Sequence, residues 1–334
     1  MKIGRTPVVI GVVTALMVLV LILGRNVSGG PNPFVILGLV NGAVFGLVAL
    51  GLVLVYKGTR VFNFAQGEFG TIAAYLLYLS IDKGKLGLPY GIGILIALAG
   101  TVVIGLGVER VIVRPLLEAP RVTLLVASIA LALLFIGLEI LIFRVDPLPL
   151  PTILSQEQFR GIEVFALTID AQRLIGVGVL AAFGVGLGYF FSRTDLGLAV
   201  LATSQDAFAT RVVGIGVERM SRFIWGSAAF LGAVAGLIYI PAAGVLLPSV
   251  MTSNILIPAF TGAVVGGMSS LPGAFVGGVV VGVVQAVAQW ASGHFTVGDK
   301  VVSDIIPGVE QIAVFVVLLA VLLARPQGLL GREA

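Results

Sequence analysis

Apolar runs, each about as long as a membrane-crossing helix, follow one another along most of the chain. A helix needs about 20 apolar residues to cross the hydrocarbon core of a bilayer. The pattern predicts an all-α polytopic membrane protein, one domain over residues 1–334, with about ten transmembrane helices. The predicted crossings are 8–24, 34–56, 61–80, 90–109, 122–143, 174–191, 223–245, 254–268, 271–291 and 305–324.

Two of these crossings are weakly supported by hydrophobicity. The run at 254–268 is short and contains Pro258, which favours a broken or re-entrant helix. The run at 61–80 holds Asn63, Gln66 and Glu68, whereas lipid-facing helices carry Leu and Val there. Intramembrane polar groups either clamp neighbouring helices or face a pathway, and both interpretations of this stretch stay open.

The basic residues support counting the run at 61–80. With a cytoplasmic N-terminus, thirteen Lys and Arg residues fall inside and seven outside, in line with the excess of basic residues in cytoplasmic loops. Without that crossing, segments 110–121 and 193–222 would face outside. We therefore predict an uncleaved first crossing, both termini in the cytoplasm, an external loop at 144–172 with a short strand or two, and a cytoplasmic loop at 192–222.

The composition excludes several functional classes. Only 11% of the residues are charged and 58% are hydrophobic, which leaves no room for a large soluble domain. The chain has no cysteine and a single histidine, His294, so thiolate and histidine metal sites are excluded. The net charge of +4 gives no indication of nucleic-acid binding, and hydrolase motifs such as H-E-x-x-H are absent.

Glycine is unusually frequent, with 45 residues. Small residues four apart let helices approach closely in lipid, where no hydrophobic drive pulls them together. Permanent tight packing and smooth contacts between mobile helices both fit this spacing. The pairs are Gly42/Gly46, Gly262/Gly266, Gly273/Gly277 and Gly278/Gly282.

Two loops carry local structural signals. Thr203–Asp206 fits an [ST]-x-x-[DE] helix start and Gly214 a C-terminal cap, so a helix of about ten residues is expected between them. Alone it would be too short to be stable and would need a partner surface, unless it is only a solvated loop helix. The second loop, with Gly266, Gly267, Ser270, Pro272 and Gly273, is expected to form a tight turn or to line an inner vestibule.

Four stretches, in order, resemble the permease subunits of branched-chain amino acid ABC importers. The similarity excludes the first run and the 144–172 loop, and relatives with the same motifs handle urea and short amides. The stretches are NGAVFGLVALGLVLVYKGTRVFNFAQGEFGTIAAYL at 41–76, TDLGLAVLATSQDAFATRVVGIGVERM at 194–220, FTGAVVGGMSSLPGAFVGGVVVGVVQ at 260–285 and RPQGLLG at 325–331.

The resemblance implies the ABC importer permease fold and a transport subunit rather than an enzyme. Such a subunit moves a small solute, such as a branched-chain or other apolar amino acid, across the cytoplasmic (inner) membrane. The chain has no Walker A motif, so ATP and Mg would be bound by partner subunits and this chain would hold no cofactor. The implied partners are a second, related permease in a heterodimer, two ABC ATPases and an external solute-binding protein.

The resemblance also assigns residues. Ser204, Asp206, Ala209 and Gly214 match the segment that docks on the ATPase, and Asp206→Lys or Gly214→Leu should abolish uptake without preventing membrane insertion. Gln66 stands where the family has His, which removes a titratable group from the stretch.

Further side chains are pathway or structural candidates. Asn41 and Gln285 join Asn63, Gln66 and Glu68 as pathway candidates. Glu139 and Glu310, near the outer ends of their runs, are expected to reach water and to be structural. A passive channel remains the alternative of a different class; it would not need a capped cytoplasmic helix.

Overall fold

The computed structural model describes residues 32–117, 119–153, 162–164, 167–169, 171–205, 210, 212, 214, 216–297, 300–325 and 327–328. This part of the chain is a bundle of helices. The helices are α1 (Asn32–Thr59), α2 (Gln66–Ile81), α3 (Tyr90–Val108), α4 (Arg121–Phe143), α5 (Ala171–Arg193), α6 (Asp195–Gln205), α7 (Val217–Ala243), α8 (Ile257–Gly266), α9 (Leu271–His294), α10 (Val302–Ile305) and α11 (Val309–Ala324).

Each predicted crossing from 34–56 onward coincides with a helix, with ends that differ by up to six residues. Among the described residues, five helices are long and apolar enough to cross a membrane: α1, α3 with its extension to Leu116, α4, α7 and α9. The apolar helices Thr252–Gly266 and Val309–Ala324 are shorter. The run at 8–24 lies outside the described residues, so the number ten and the cytoplasmic termini stay predictions.

The polar stretch departs from the helix expected over 61–80, because α2 begins at Gln66 and residues 61–65 are irregular. Buried irregular backbone needs partners inside the protein. Ser128 of α4 supplies two of them: its hydroxyl donates to the Phe62 carbonyl oxygen at 3.1 Å and accepts from the Phe64 N–H at 3.4 Å. The stretch therefore enters the bundle as irregular chain and continues there as the 16-residue helix α2.

The short crossing near Pro258 is irregular rather than broken. The chain leaves α7 through an exposed glycine at 244 and passes Ser249 with φ +59°. One turn of π-helix, Thr252–Leu256, then runs directly into α8 with right-handed helical backbone at the junction. No break is observed at Pro258, and whether this helix is re-entrant stays a prediction.

Three pairs of short antiparallel strands lie in the connections. β1 (Leu148–Pro149) pairs with β4 (Val245–Leu246), and β5 (Thr296–Val297) pairs with β6 (Lys300–Val301). β2 (Ile162–Val164) and β3 (Leu167–Ile169) form the hairpin expected from the alternation in the 144–172 loop. Which side of a membrane this loop faces stays a prediction.

One end of the bundle collects basic side chains. The end of α3 meets the start of α7 there, because Arg114 Nη1 lies 3.1 Å from Glu218 Oε2. The end of α1 also reaches α7, with Gly58 packed against Ile224. We call this the basic end; it carries Lys57, Arg60, Arg110, Arg114, Arg219 and Arg222.

Glycines let α1, α8 and α9 touch through their backbones. A Cβ atom built on Gly278 of α9 would lie 2.5 Å from the Cα atom of Gly46, and one built on Gly46 would lie 2.8 Å from the Phe275 carbonyl oxygen. On the other face of α9, Gly262 of α8 meets Gly278 at 2.5 Å in the same way. We call this contact the glycine seam; it explains the four-residue spacing as close packing.

Candidate functional site

A cavity of about 170 Å³ lies between α1, α7, α9, α11 and the segment that leads into α8. It contains two of the predicted pathway residues, Asn41 and Gln285, which are 244 residues apart in sequence. Asn41 lies nine residues after the start of α1, and Gln285 lies nine residues before the end of α9. Both of these helix ends are at the end of the bundle opposite the basic end. At 1.5 Å per residue, nine residues correspond to roughly 14 Å along the helix. The cavity therefore lies part-way along the bundle rather than at its ends, and it opens on the side of the bundle, where Asn41, Ser253 and Gln311 are exposed.

The cavity lining combines uncharged polar groups with apolar walls. Its polar residues are Asn41, Tyr239, Ser253, Asn254, Gln285 and Gln311. Its apolar residues are Phe45, Ile255, Ile257, Pro258, Val314 and Phe315. None of the described lining residues carries a formal charge, so the walls offer amide and hydroxyl hydrogen bonds beside aliphatic and aromatic surface. The Gln285 side-chain oxygen is buried without a hydrogen-bond partner and is free to accept one.

Sequence reasoning missed most of this lining. Ser253, Asn254 and Gln311 are isolated polar residues in or beside apolar runs, a signal that could have been followed as it was for Asn41 and Gln285. Tyr239 and Phe315 carried no comparable signal, since aromatic residues are common in membrane helices. Only the packing of α7 against α1 and of α11 against α9 brings them to the cavity.

Asn63 and Gln66 form a polar clamp between the irregular stretch and α7. The Gln66 amide nitrogen donates to the Ala228 carbonyl oxygen at 2.8 Å, and the Asn63 amide donates to the Gln66 side-chain oxygen at 3.4 Å. The Asn63 oxygen accepts from the Ala65 N–H at 3.1 Å. Both side chains are fully buried and neither lines the cavity, so the geometry is that of the clamp interpretation.

Glu68 lies in the first turn of α2 and is completely buried. Its nearest polar neighbours are the side chains of Thr252, Glu139 and Thr71. Neither carboxyl oxygen makes a short hydrogen bond. Glu68 is not among the residues that line the cavity, but Thr252 is followed directly by Ser253, which is.

Glu139 was expected near water and is instead buried, with 4% of its surface exposed. The expectation was wrong because the connection after α7 folds back over α4. Glu139 Oε2 accepts the Ser249 N–H at 3.0 Å, while its Oε1 has no hydrogen-bond partner. The two carboxyl groups, from α2 and α4, thus face each other inside the bundle.

The loop at 192–222 is organised differently from the prediction. Thr203 itself does not start a helix, because it lies inside α6, which runs from Asp195 to Gln205, and its hydroxyl donates to the Ala199 carbonyl oxygen. The helix expected to end at Gly214 stays a prediction, since most of its residues lie outside the described ones, although Thr210 and Val212 are helical. Thr194 precedes the helix and its hydroxyl accepts the Gly197 N–H at 3.1 Å. The missed signal is the Thr194–Asp195 pair, a capping residue followed by an acid.

The predicted coupling residues are only partly described. Ser204 lies in the last turn of α6, and Asp206 and Ala209 lie outside the described residues. Gly214 has φ +87°, the left-handed conformation that glycine adopts at helix C-terminal caps. Their role in coupling stays a prediction.

The segment 266–273 turns from α8 into α9. The Ser270 hydroxyl accepts the Gly273 N–H at 3.1 Å and caps α9, with Pro272 in its first turn. Gly267 has φ +99°, and Gly266 packs directly against the Gly273 carbonyl. None of these residues lines this cavity, and their role at an inner vestibule stays a prediction.

Comparison with known proteins places these features in a family. Residues 34–324 match the family model described as "Branched-chain amino acid transport system / permease component". The match contains the cavity, the carboxyl pair and the loop at 192–222.

Individual relatives agree with this match. The chain is 30% identical to the high-affinity branched-chain amino acid transport system permease protein BraD of Pseudomonas aeruginosa, over 88% of this chain and 94% of BraD. It is 28% identical to LivH of Escherichia coli K12, over 88% and 94%. Among solved structures, PsaBC from Streptococcus pneumoniae in complex with Fab is similar at TM-score 0.46 and 15% identity, covering 87% of this chain and 91% of that one, a level too low to assign a shared fold.

Proposed function

The chain belongs to the family of permease components of branched-chain amino acid transport systems, and on that premise we propose that it is the transmembrane subunit of an ATP-driven importer. Its solute is a branched-chain or other apolar amino acid. Separate subunits bind and hydrolyse ATP with Mg, and this chain provides the path through the cytoplasmic membrane.

The observation that carries this proposal is the uncharged cavity. An amino acid with an apolar side chain is a zwitterion with no net charge, so it needs hydrogen bonds for its two charged groups and apolar surface for its side chain. Asn41, Asn254, Gln285 and Gln311 supply amide donors and acceptors. Phe45, with the aliphatic and aromatic groups opposite, supplies the apolar wall.

The arrangement of the basic end supports the proposed orientation. Basic residues are enriched in cytoplasmic segments, so the basic end faces the cytoplasm. The cavity, nearer the opposite end, then receives solute from an external binding protein that docks on the outer connections, including 144–172. α6, between α5 and α7, lies on the cytoplasmic side.

The loop at 192–222 is the proposed contact with the ATPases. α6 is only 11 residues long and is anchored by its Thr194 cap. A helix this short transmits motion only if its ends are fixed, and α5 and α7 lie directly before and after the loop. Ser204, Asp206, Ala209 and Gly214 form the coupling segment in this proposal, and a second, related permease completes a heterodimeric pore.

Reconstitution tests the function. The chain is placed in proteoliposomes with a partner permease, two ATPase subunits and a solute-binding protein, and leucine and urea uptake are measured with and without ATP. We expect ATP-dependent leucine uptake. Uptake of urea or short amides alone would replace the solute assignment, and ATP-independent uptake would favour a passive channel.

Gln285→Leu tests the cavity within that assay. Losing one buried hydrogen bond to the solute, about 1.4 kcal/mol, lowers uptake roughly tenfold. Gln289→Leu is the matched control, one turn further along α9 and outside the cavity lining. Equal effects of the two substitutions on uptake would show that the cavity is not part of the solute pathway.

A further inference from the structure

Glu68 and Glu139 form a carboxyl pair that the transport path does not explain. Glu68 projects from the first turn of α2, and Glu139 from α4 one turn before Phe143. Both are at most 4% exposed, and each is among the other's interacting neighbours. Three of their four carboxyl oxygens have no short hydrogen bond, the exception being Glu139 Oε2 on the Ser249 N–H.

A third group points to the same place. Tyr75 lies two turns after Glu68 on α2, is 3% exposed, and its hydroxyl is buried without a hydrogen-bond partner. Its ring stacks on Phe143 at a centroid distance of 4.0 Å, which places it beside Glu139, and it interacts electrostatically with both carboxyl groups. The cluster is thus a buried group of oxygen atoms in which the hydroxyl groups of Thr71, Thr252 and Tyr75 are the side-chain donors beside the two carboxyl groups.

No cation balances these oxygens in the part of the chain that the structure describes. The side chains that interact with the pair are Thr71, Tyr75 and Thr252, and no Lys, Arg or His is among them. Two facing carboxylates inside a low-dielectric bundle repel each other strongly, and a charge there is costly even alone. The N-terminus of α2 favours one negative charge at Glu68 but not two.

The pair is attached to the wall of the cavity. Glu139 holds the backbone of Ser249, whose φ of +59° is unusual for a residue other than glycine. Thr71, next to Glu68, accepts the Met251 N–H at 3.4 Å, and Gly67 packs against Thr252. The next two residues, Ser253 and Asn254, line the cavity.

We propose that Glu68 and Glu139 bind one proton between them, and that this shared proton latches the 249–256 segment, and with it one wall of the cavity, onto α2 and α4. With the proton present, one carboxyl group donates to the other and a single charge remains. When it is lost, the two carboxylates repel each other; Glu139 keeps the Ser249 N–H, for which a carboxylate is the stronger acceptor, and the segment is released from α2. The latch is therefore closed at lower pH and opens as the pH rises through loss of that proton.

Infrared spectroscopy of the full chain in lipid nanodiscs tests the proton directly. A protonated carboxyl group has a carbonyl band separate from that of a carboxylate. We expect one such buried band in the unaltered protein, a shift of its frequency in both Glu68→Gln and Glu139→Gln, and its loss only when both residues are replaced. A shift in both single variants is specific to sharing, because a carboxyl group that did not bond to the other would keep its band unchanged when the other is replaced.

Three results of that experiment would overturn the proposal. They are the absence of a band from the unaltered protein, an unchanged band frequency in either single variant, and loss of the band in the control Glu109→Gln. Glu109 is also fully buried but has a cationic partner, Arg114, at 3.4 Å. If a single variant does not fold, the double variant is used instead. Replacing both Glu68 and Glu139 by Gln keeps an amide pair in the same space, and this variant must still lose the band.

The latch is tested by labelling. Because the chain has no cysteine, Ser253→Cys introduces a single thiol on the latched wall and Gln311→Cys one on the α11 wall. We expect the ratio of their maleimide labelling rates to rise several-fold with pH, and to become independent of pH when Glu68→Gln is added. A ratio independent of pH in the unaltered background, or an unchanged rise with Glu68→Gln, would overturn the latch. Neither experiment measures transport, so the result stands apart from the proposed function.

Discussion

The glycine seam and the carboxyl cluster hold neighbouring helices together by different kinds of contact, close backbone packing in the first and buried polar side chains in the second. In the seam, Gly46 of α1 and Gly278 of α9 bring backbones so close that not even a methyl group fits. In the cluster, α2, α4 and the 249–256 segment are separated by buried carboxyl, hydroxyl and phenol groups with few short hydrogen bonds. The seam has no space for a further atom, whereas several polar atoms of the cluster lack a hydrogen-bond partner.

This difference assigns different mechanical roles. Lipid provides no hydrophobic drive between helices, so the seam is held by close packing and has one arrangement. In the proposed latch, the arrangement of the cluster depends on whether the shared proton is present, so the cluster can have two arrangements. A transporter needs both kinds of contact, because one part of the helix bundle can move relative to the solute path only if another part stays fixed.

The largest effect should come from filling the seam. Gly278→Leu forces a side chain into the backbone of α1, and overpacking of about 1–3 kcal/mol or more should leave little folded protein. Size-exclusion profiles and thermal stability of the purified chain measure this. Gly107→Leu is the control, because an added Cβ there meets nothing within 4 Å; equal losses would refute the seam as the frame.

A smaller effect is expected from the clamp beside the cluster. Gln66→Leu removes the bond to the Ala228 carbonyl and leaves the buried Asn63 amide without an acceptor, at a cost of about 1–3 kcal/mol. Thermal stability in detergent measures the loss. Gln66→His, the family residue at this position, should recover part of it by donating to Ala228, and no difference between the two variants would argue against the clamp.

Within the cluster, Thr71→Val should cost about 1 kcal/mol. It keeps the shape of the side chain but removes the acceptor for the Met251 N–H and a neighbour of Glu68. Thr101→Val is matched in burial, yet the Thr101 hydroxyl bonds only to Ala97 in its own helix. Stability losses of the same size in the two variants would mean that Thr71 has no special part in the cluster.

The smallest effect is expected outside both contacts, at the basic end. Glu218 is 65% exposed and pairs with Arg114 at 3.1 Å, so Glu218→Gln should change stability by no more than about 1 kcal/mol. Repeating the melting curves at high salt should remove what difference there is, because exposed charges are screened. A large effect that survives salt would show that the α3–α7 contact also belongs to the rigid frame.

Much of the helix pattern could be read from the chain, because apolar length is a local property. The positions of α1, α4 and α9 follow from runs of residues that only a helix can bury in lipid. The four-residue glycine spacing likewise indicated close packing correctly. The hairpin β2–β3 followed from alternation in a short stretch.

Predictions from local sequence signals were wrong where a contact with residues elsewhere in the chain determines the local structure. Thr203 fitted a helix start, but it lies inside α6, which begins at Asp195 after the Thr194 cap. Residues 61–65 were expected to be helical, yet they form a bend and a turn, and Ser128 of α4 bonds to the backbone of Phe62 and Phe64. Glu139 was expected at water because nothing in α4 indicates that Ser249 folds back onto it.

The candidate site shows the same division. The residue types and the runs that carry them already indicate a membrane bundle in which polar side chains such as Asn41, Gln285 and Glu68 avoid lipid, because a polar group is costly there. Glu68 is buried inside the bundle, whereas Asn41 is exposed at the cavity on its side. Which of these side chains meet depends on helices distant in sequence. Packing brings Asn41 to Gln285 in the cavity and Glu68 to Glu139 behind its wall, because contact between side chains is a property of the assembled bundle.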